Sequence, residues 1–366
     1  MITAEDLAVG WLLAGYRFDR YRGEAPERPG PARLVLDPPP AALAVAEGVW
    51  FARSLVDTPS EDMGPEELEE VARDLAAAFD GRLVVVRGEA LRTGGFPLVW
   101  AVGRASPREP RVLDLVFGPE DAPKITLVGK GVCFDTGGLD LKPPQLMRLM
   151  KKDMGGAAVV LGLARALLAA GIRARLRVIV PALDNAVSGA AFRPGDVLRS
   201  RRGLTVEVGN TDAEGRLALA DALAAADEED PALLVDVATL TGAARVALGP
   251  DLPALFTPDD VLAAELLEAG RQTAEPLWRL PLHAPYGEFL ESRIADIDNA
   301  GEGRHAGAIT AALFLQRFVS PGRAWAHLDV YCWNDRVRPG RPKGGEASAL
   351  RPLFAAISRR LEEGRP

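Results

Sequence analysis

Thr205–Gly242, TVEVGNTDAEGRLALADALAAADEEDPALLVDVATLTG, reads as strand, loop, helix, strand and loop in a single pass. Thr205–Val208 has the β-branched character of a strand. Leu217–Asp227 is a run rich in Ala and Leu long enough for three helical turns, and Leu233–Leu240 is a largely apolar, strand-like run. The same pattern extends outward in both directions. Upstream lie strand-like runs at Arg82–Val86, Val112–Phe117, Ile125–Val128 and Arg175–Pro181, with a helix over Gly155–Ala170 closed by Gly171; downstream, Trp325–Val330 is another strand. Strands alternating with helices predict α/β layers around a mostly parallel sheet. Three of these strands deliver small and polar residues at their carboxyl ends: GKG (Gly129–Gly131), NTDAEGR (Asn210–Arg216) and ATLTG (Ala238–Gly242). Ligands bind at that edge of open α/β sheets, so the three segments are expected to converge on one cleft.

The front of the chain is different in kind. Helix-like pieces at Ala4–Tyr16 and Ala41–Ser54 flank a Pro-rich stretch, Pro26–Pro40, which suggests residues 1–45 form a small cap or connector and residues 46–366 the main domain. A helical run begins at Pro65 and continues to Phe79. With 366 residues, nearly half of them apolar, the chain can bury a sizeable core. A formal net charge of −8 argues against sequence-independent binding to nucleic acid, which draws on Lys and Arg to neutralise phosphates. Cys133 and Cys332 lie in apolar strand-like stretches and are expected to be buried thiols. The N-terminal stretch carries Glu5 and Asp6 where a secretory signal carries positive charge, and its apolar run is too short to cross a bilayer; a cytoplasmic protein is expected.

Several chemistries are excluded by spacing. Gly129-Lys130-Gly131 lacks the earlier glycine and the following Ser or Thr of a phosphate-binding loop, no G-x-S-x-G elbow occurs, and His283, His305 and His327 are too dispersed for an HExxH site. What remains is Lys130, Asp135, Lys142 and Asp153 in one stretch and Asp212, Glu214 and Arg216 in another. Carboxylates converging without thiolates suit hard or borderline divalent cations. Each residue also has a plain structural reading: Asp153 precedes a helix as an N-cap would, and Thr211-Asp212-Ala213-Glu214 fits a capping box. Read alone, the residues leave two options open, a metal-dependent hydrolase and a structural salt-bridge network.

The same residues carry a resemblance. Asn210–Leu217, NTDAEGRL, resembles the signature octapeptide of the leucyl aminopeptidase (cytosol aminopeptidase) family, and VGKGVCFDTGGLDLKP (Val128–Pro143) with MKKDMGGAA (Met150–Ala158) is similar to that family's other metal segment. Similarity continues through Asp236–Gly242, Ala295–Asn299, His305–Thr310 and Trp325–Asp329, covering roughly residues 50 to 355. The resemblance implies an α/β catalytic domain of three layers with a central mixed, mostly parallel eight-stranded sheet, assembled as a hexamer. Residues 1–45 are too few for the N-terminal α/β domain usual in the family. Thr136 and Leu139-Asp140-Leu141 also differ from the commonest wording, with no ligand position lost.

Carried over residue by residue, the resemblance implies two divalent metal ions, Mn or Zn foremost with Mg or Co as alternatives. Asp135 and Glu214 would bridge them, with Lys130 and Asp153 completing one site and Asp212 the other. Lys142 and Arg216 would be the catalytic pair, Lys142 at the developing oxyanion and Arg216 holding bicarbonate as proton shuttle. Met150, Thr239, Leu240 and Gly242 match positions that shape the pocket for the first side chain, and a Met floor predicts a preference for Leu or Met. The expected activity is removal of the N-terminal residue from peptides. Two other readings are a DNA-binding architectural role, testable by gel shift, and hydrolysis of phosphate esters, testable by phosphate-ester turnover without peptide turnover.

Overall fold

The computed structural model describes residues 3–23, 40–301, 303 and 305–365. Its strands, in chain order, are β1 (Arg82–Arg87), β2 (Arg111–Phe117), β3 (Lys124–Gly129), β4 (Gly131–Asp135), β5 (Arg175–Asn185), β6 (Val197–Arg199), β7 (Thr205–Glu207), β8 (Leu233–Ala238), β9 (Ala254–Phe256), β10 (Trp278–Arg279), β11 (Ile297–Asp298), β12 (Trp325–Asp329), β13 (Trp333–Asn334) and β14 (Gly344–Gly345). Eight form a continuous path in the order β1-β2-β5-β3-β8-β12-β9-β10, and β4 branches from it by pairing with the second half of β5. The central pairs β5-β3, β3-β8 and β8-β12 are parallel, whereas β1-β2, β2-β5 and β12-β9 are antiparallel. The sheet is therefore mixed and mostly parallel, with its antiparallel pairs toward the two edges.

Strand alternation divides the core into two helical layers. Ile125 and Leu127 of β3, Leu176 and Val178 of β5 and Val235 and Val237 of β8 face one layer, built from helices Ala4–Ala14, Pro40–Asp57, Pro65–Ala78, Gly155–Ala169, Asp260–Gln272 and Leu350–Glu362. Val128, Ile179 and Leu234, each one residue out of phase, face the other, which includes Pro97–Gly103, Glu214–Asp227 and Gly307–Gln316. The helix Pro40–Asp57 crosses Gly155–Ala169 closely, because a Cβ on Gly48 would lie 2.5 Å from the Gly162 carbonyl oxygen and one on Gly162 an equal 2.5 Å from that of Gly48. Residue 45 falls inside this helix, and Ala8, Val9 and Leu13 of the first helix join the same core. The Pro-rich connector expected over Pro26–Pro40 lies outside the described residues save Pro40, which opens the helix.

One expectation is corrected. Thr205–Val208 is not a member of the main sheet: β7 pairs with β6 and β11 in a separate three-stranded sheet. Its outward residues are only half-buried, so it lacks the two apolar faces that a central parallel strand requires. The loop after it nonetheless reaches the cleft, because Asn299 ties it down: Oδ1 accepts from the Gly209 and Asn210 amides, and Nδ2 donates to the Asn210 and Ala213 carbonyls. Cys133 and Cys332 are buried and unpaired, as expected. No described helix is long and apolar enough to cross a membrane.

Candidate active site

The carboxyl edge of the parallel strands holds a cleft of about 450 Å³. Lys130 sits in the break between β3 and β4. Its backbone is fixed on both sides, the amide donating to the Val237 carbonyl at 3.0 Å and the carbonyl accepting from the Ala157 amide at 2.8 Å. Asp135 ends β4, Asp153 lies in the tight turn before the helix Gly155–Ala169, and Asp212 and Glu214 flank the start of the helix Glu214–Asp227. That helix begins three residues earlier than its apolar pattern indicated. Neither plain structural reading of the acids is realised: no side chain caps either helix, and Thr211 instead donates from Oγ1 to the Gly137 carbonyl at 2.7 Å.

All of the residues singled out in the sequence line this one cleft: Lys130, Asp135, Asp153, Asp212, Glu214, Lys142, Arg216, Met150, Thr239, Leu240 and Gly242. The Lys130 amine lies 2.6 Å from Asp153 and 2.9 Å from Glu214, and it donates to the Thr239 carbonyl at 3.1 Å. The Lys142 amine lies 2.7 Å from Asp135 and also contacts Asp212. Burial opposes the charge on both lysines, but the surrounding carboxylates outweigh it and hold both amines above the ordinary lysine value. Burial, then the neighbouring Asp135, pushes Glu214 up to about 8 and Asp212 up to about 6, while Lys130 and Lys152 overcome burial to hold Asp153 below the usual range.

This donor set fits divalent cations. Four carboxylates are pressed together around Lys130 and Lys142 in a mostly buried pocket, and an oxygen-ligated cation would relieve their mutual repulsion. One oxygen from each of Asp135, Asp212 and Glu214 lies within 4.8 Å of the others. Both Glu214 oxygens are buried, and neither accepts a well-directed hydrogen bond from any described residue, although Oε1 is close to the Lys130 amine. Such orphaned acceptors are expensive unless something else binds them.

Further contacts hold the cluster in place, some of them from residues that had not stood out in the sequence. Asn185, at the end of β5, donates from Nδ2 to Asp135 at 2.9 Å and to the Thr211 carbonyl at 3.1 Å. Asp329, at the end of β12, accepts from the amides of Leu240 and Thr241 and from the Thr241 hydroxyl at 2.5 Å, fixing the loop after β8. Thr239 Oγ1 donates to Asp153 at 2.7 Å. Arg216 donates to the Asn299 carbonyl at 2.5 Å, and burial lowers it to about 10. Asp329 and Asn299 lie within motifs quoted above, whereas Asn185 had no local signal. Of the histidines, His305 lines the cleft, His327 is buried against Asp236, and His283 packs edge-on against Tyr286.

Residues 50–354 match the model of the cytosol aminopeptidase family, catalytic domain. The chain belongs to the cytosol aminopeptidase family. It is 43% identical over 373 residues to a probable cytosol aminopeptidase of Roseiflexus castenholzii, covering 97% of this chain and 76% of that one. The cytosol aminopeptidase of Coxiella burnetii superposes with a TM-score of 0.93 at 49% identity, over 99% of this chain and 78% of its own. The bottromycin maturation enzyme BotP in complex with Mn superposes with a TM-score of 0.89 at 41% identity, over 98% of this chain and 79% of its own. Membership in the cytosol aminopeptidase family makes this chain a hydrolase acting on peptide bonds.

Proposed function

We propose that this cytosol aminopeptidase removes N-terminal residues by a two-metal mechanism, with Lys130, Asp135, Asp153, Asp212 and Glu214 as ligands. The observation that carries the reading is the convergence of four carboxylates and two lysines at the sheet edge, with neither buried Glu214 oxygen accepting a well-directed hydrogen bond from any described residue. Divalent cations there, Mn or Zn foremost, would supply Lewis acidity toward the scissile carbonyl and toward water. With such cations bound, Lys130 would serve as a neutral ligand, because adjacent positive charge favours loss of its proton. Asp153 is held for this role by Thr239, and Asp135 by Asn185 and the Gly137 amide.

Lys142 contacts Asp135 and Asp212, lines the cleft and is placed to donate to an oxyanion. Arg216 is anchored through Nη1 on main-chain carbonyls and lines the cleft, which suits the holding of bicarbonate or a similar anion that relays a proton. Met150 and Leu240 offer apolar surface to the first side chain, which supports turnover of Leu and Met. A cytoplasmic homo-oligomer, a hexamer by family resemblance, completes the proposal.

Hydrolysis of leucyl-p-nitroanilide with chelator, and again after adding Mn²⁺ or Zn²⁺, tests it. Activity lost to chelator and restored by metal is expected. No metal-restorable turnover of any unblocked substrate rejects the reading.

A further inference from the structure

The cleft carries positive charge that the proposed chemistry does not use. Lys152 lines it with a side chain only 5% exposed. Its nearest carboxylate oxygen, Asp153 Oδ1, is 3.9 Å away and already accepts from Thr239. The Lys152 amine lies 5.1 Å from the centre of the Tyr331 ring, and the Arg245 guanidinium packs on that ring at 4.5 Å. The Arg245 side chain makes no ion pair or hydrogen bond among the described residues and also lines the cleft. A buried ammonium without a hydrogen-bonded acceptor is costly, and an aromatic face offsets only part of the cost. Two cations held on one ring therefore face the same cavity.

Their position indicates which anion. Nη2 of Arg245 lies 3.7 Å from where a Cβ on Gly242 would stand, and Lys152 follows Met150 by two residues. Both therefore belong to the wall assigned to the first side chain of the substrate. Methylenes of that side chain can lie along Met150 and Leu240, leaving its end group at the cations.

We propose that Lys152 and Arg245, braced by Tyr331, bind the side-chain carboxylate of an acidic first residue, so that peptides beginning with Glu are selected over those beginning with its neutral isostere Gln. The inference rests on the aminopeptidase reading above. The same charges disfavour a first Lys by repulsion. A carboxylate between a lysine and an arginine makes charge-assisted hydrogen bonds, which are the strong ones.

The test is kcat/KM of the full chain, supplied with Mn²⁺, on glutamyl-, glutaminyl-, leucyl- and lysyl-p-nitroanilide. Glutamyl turnover about 10- to 100-fold above glutaminyl is expected, with lysyl slowest. Arg245→Leu and Lys152→Met should each lower the glutamyl-to-glutaminyl ratio at least about fivefold. Because Lys152 adjoins a proposed ligand, bound metal is measured in both variants, and Arg245→Leu, outside the ligand set, must show the effect with metal retained. Equal turnover of glutamyl and glutaminyl substrates, with leucyl cleaved, overturns this inference and leaves the aminopeptidase reading standing. Selection of leucylglycine over leucylglycinamide with that equality would assign the cations to a C-terminal carboxylate instead and equally overturn it. A glutamyl preference undiminished in both variants overturns the residue assignment. No turnover of any of the substrates defeats the underlying reading.

Discussion

Glu214 shows how one side chain can be placed by its neighbours and still have an oxygen, Oε2, that accepts no hydrogen bond among the described residues. It enters a helix at its first turn, where a carboxylate is favoured by the helix dipole, yet it points into the cluster rather than capping the helix. The next residue must be small: a Cβ on Gly215 would stand 2.5 Å from Lys130 Cε, and the Lys130 amine is already held by Asp153, Glu214 and the Thr239 carbonyl. Gly215→Ala is thus expected to weaken metal binding about tenfold or more while leaving the helix intact, since Ala is the better helix former. Titration with Mn²⁺ alongside circular dichroism checks both halves. Asp135→Ala and Glu214→Ala should lose metal and activity together, whereas Lys142→Ala and Arg216→Ala should keep metal and lose about 100-fold or more in kcat. Metal content equal in all four variants would refute the assigned roles. The seven polar residues of the cluster were legible because they sit in two short, unusual motifs. Asn185 and Lys152 were not, because their importance comes from what the folded sheet sets beside them.

At the level of strands, β8 and β12 deliver Thr239 and Asp329 to the cleft, and they are joined beneath it by a buried pair. His327 and Asp236 are register partners, with Nδ1 2.5 Å from Oδ1, and Asp236 also accepts from Trp325 Nε1 at 2.8 Å. Burial works against a charged imidazole, but Asp236 outweighs it and raises the His327 value above its ordinary 6.5. The stabilisation from this pair is therefore fully present below pH 6.5 and is lost as pH rises through the raised folded-state value. His327→Gln should cost about 3–5 kcal/mol at pH 6, since it leaves Asp236 without its cation. The difference from wild type in urea melts should shrink by pH 9; a constant difference would mean that the pair is neutral throughout. The sequence foretold most strands of the main sheet from their continuous apolar runs. It misassigned Thr205–Val208 because a four-residue run cannot show whether one face or both will be covered.

For the whole molecule, a cluster of crowded carboxylates should make stability depend on bound ions. Ions that bind the native state but not the unfolded chain stabilise by mass action, about 2.7 kcal/mol at a hundredfold excess over Kd. Thermal melting in Mn²⁺ should exceed that in chelator and climb with Mn²⁺ concentration, and a melting temperature indifferent to both would count against a built metal centre. The front of the chain shares in this stability, because the helix Pro40–Asp57 is seated on Gly155–Ala169 through Gly48 and Gly162. The anchoring of Lys130 has a consequence in time as well as in space. Its amide is bound to β8, its carbonyl to the helix that follows Asp153, and its amine to a third segment some eighty residues further along. During refolding, an intermediate that lacks any one of these segments leaves that amine incompletely held, so capture of the ions should lag behind the recovery of helical signal.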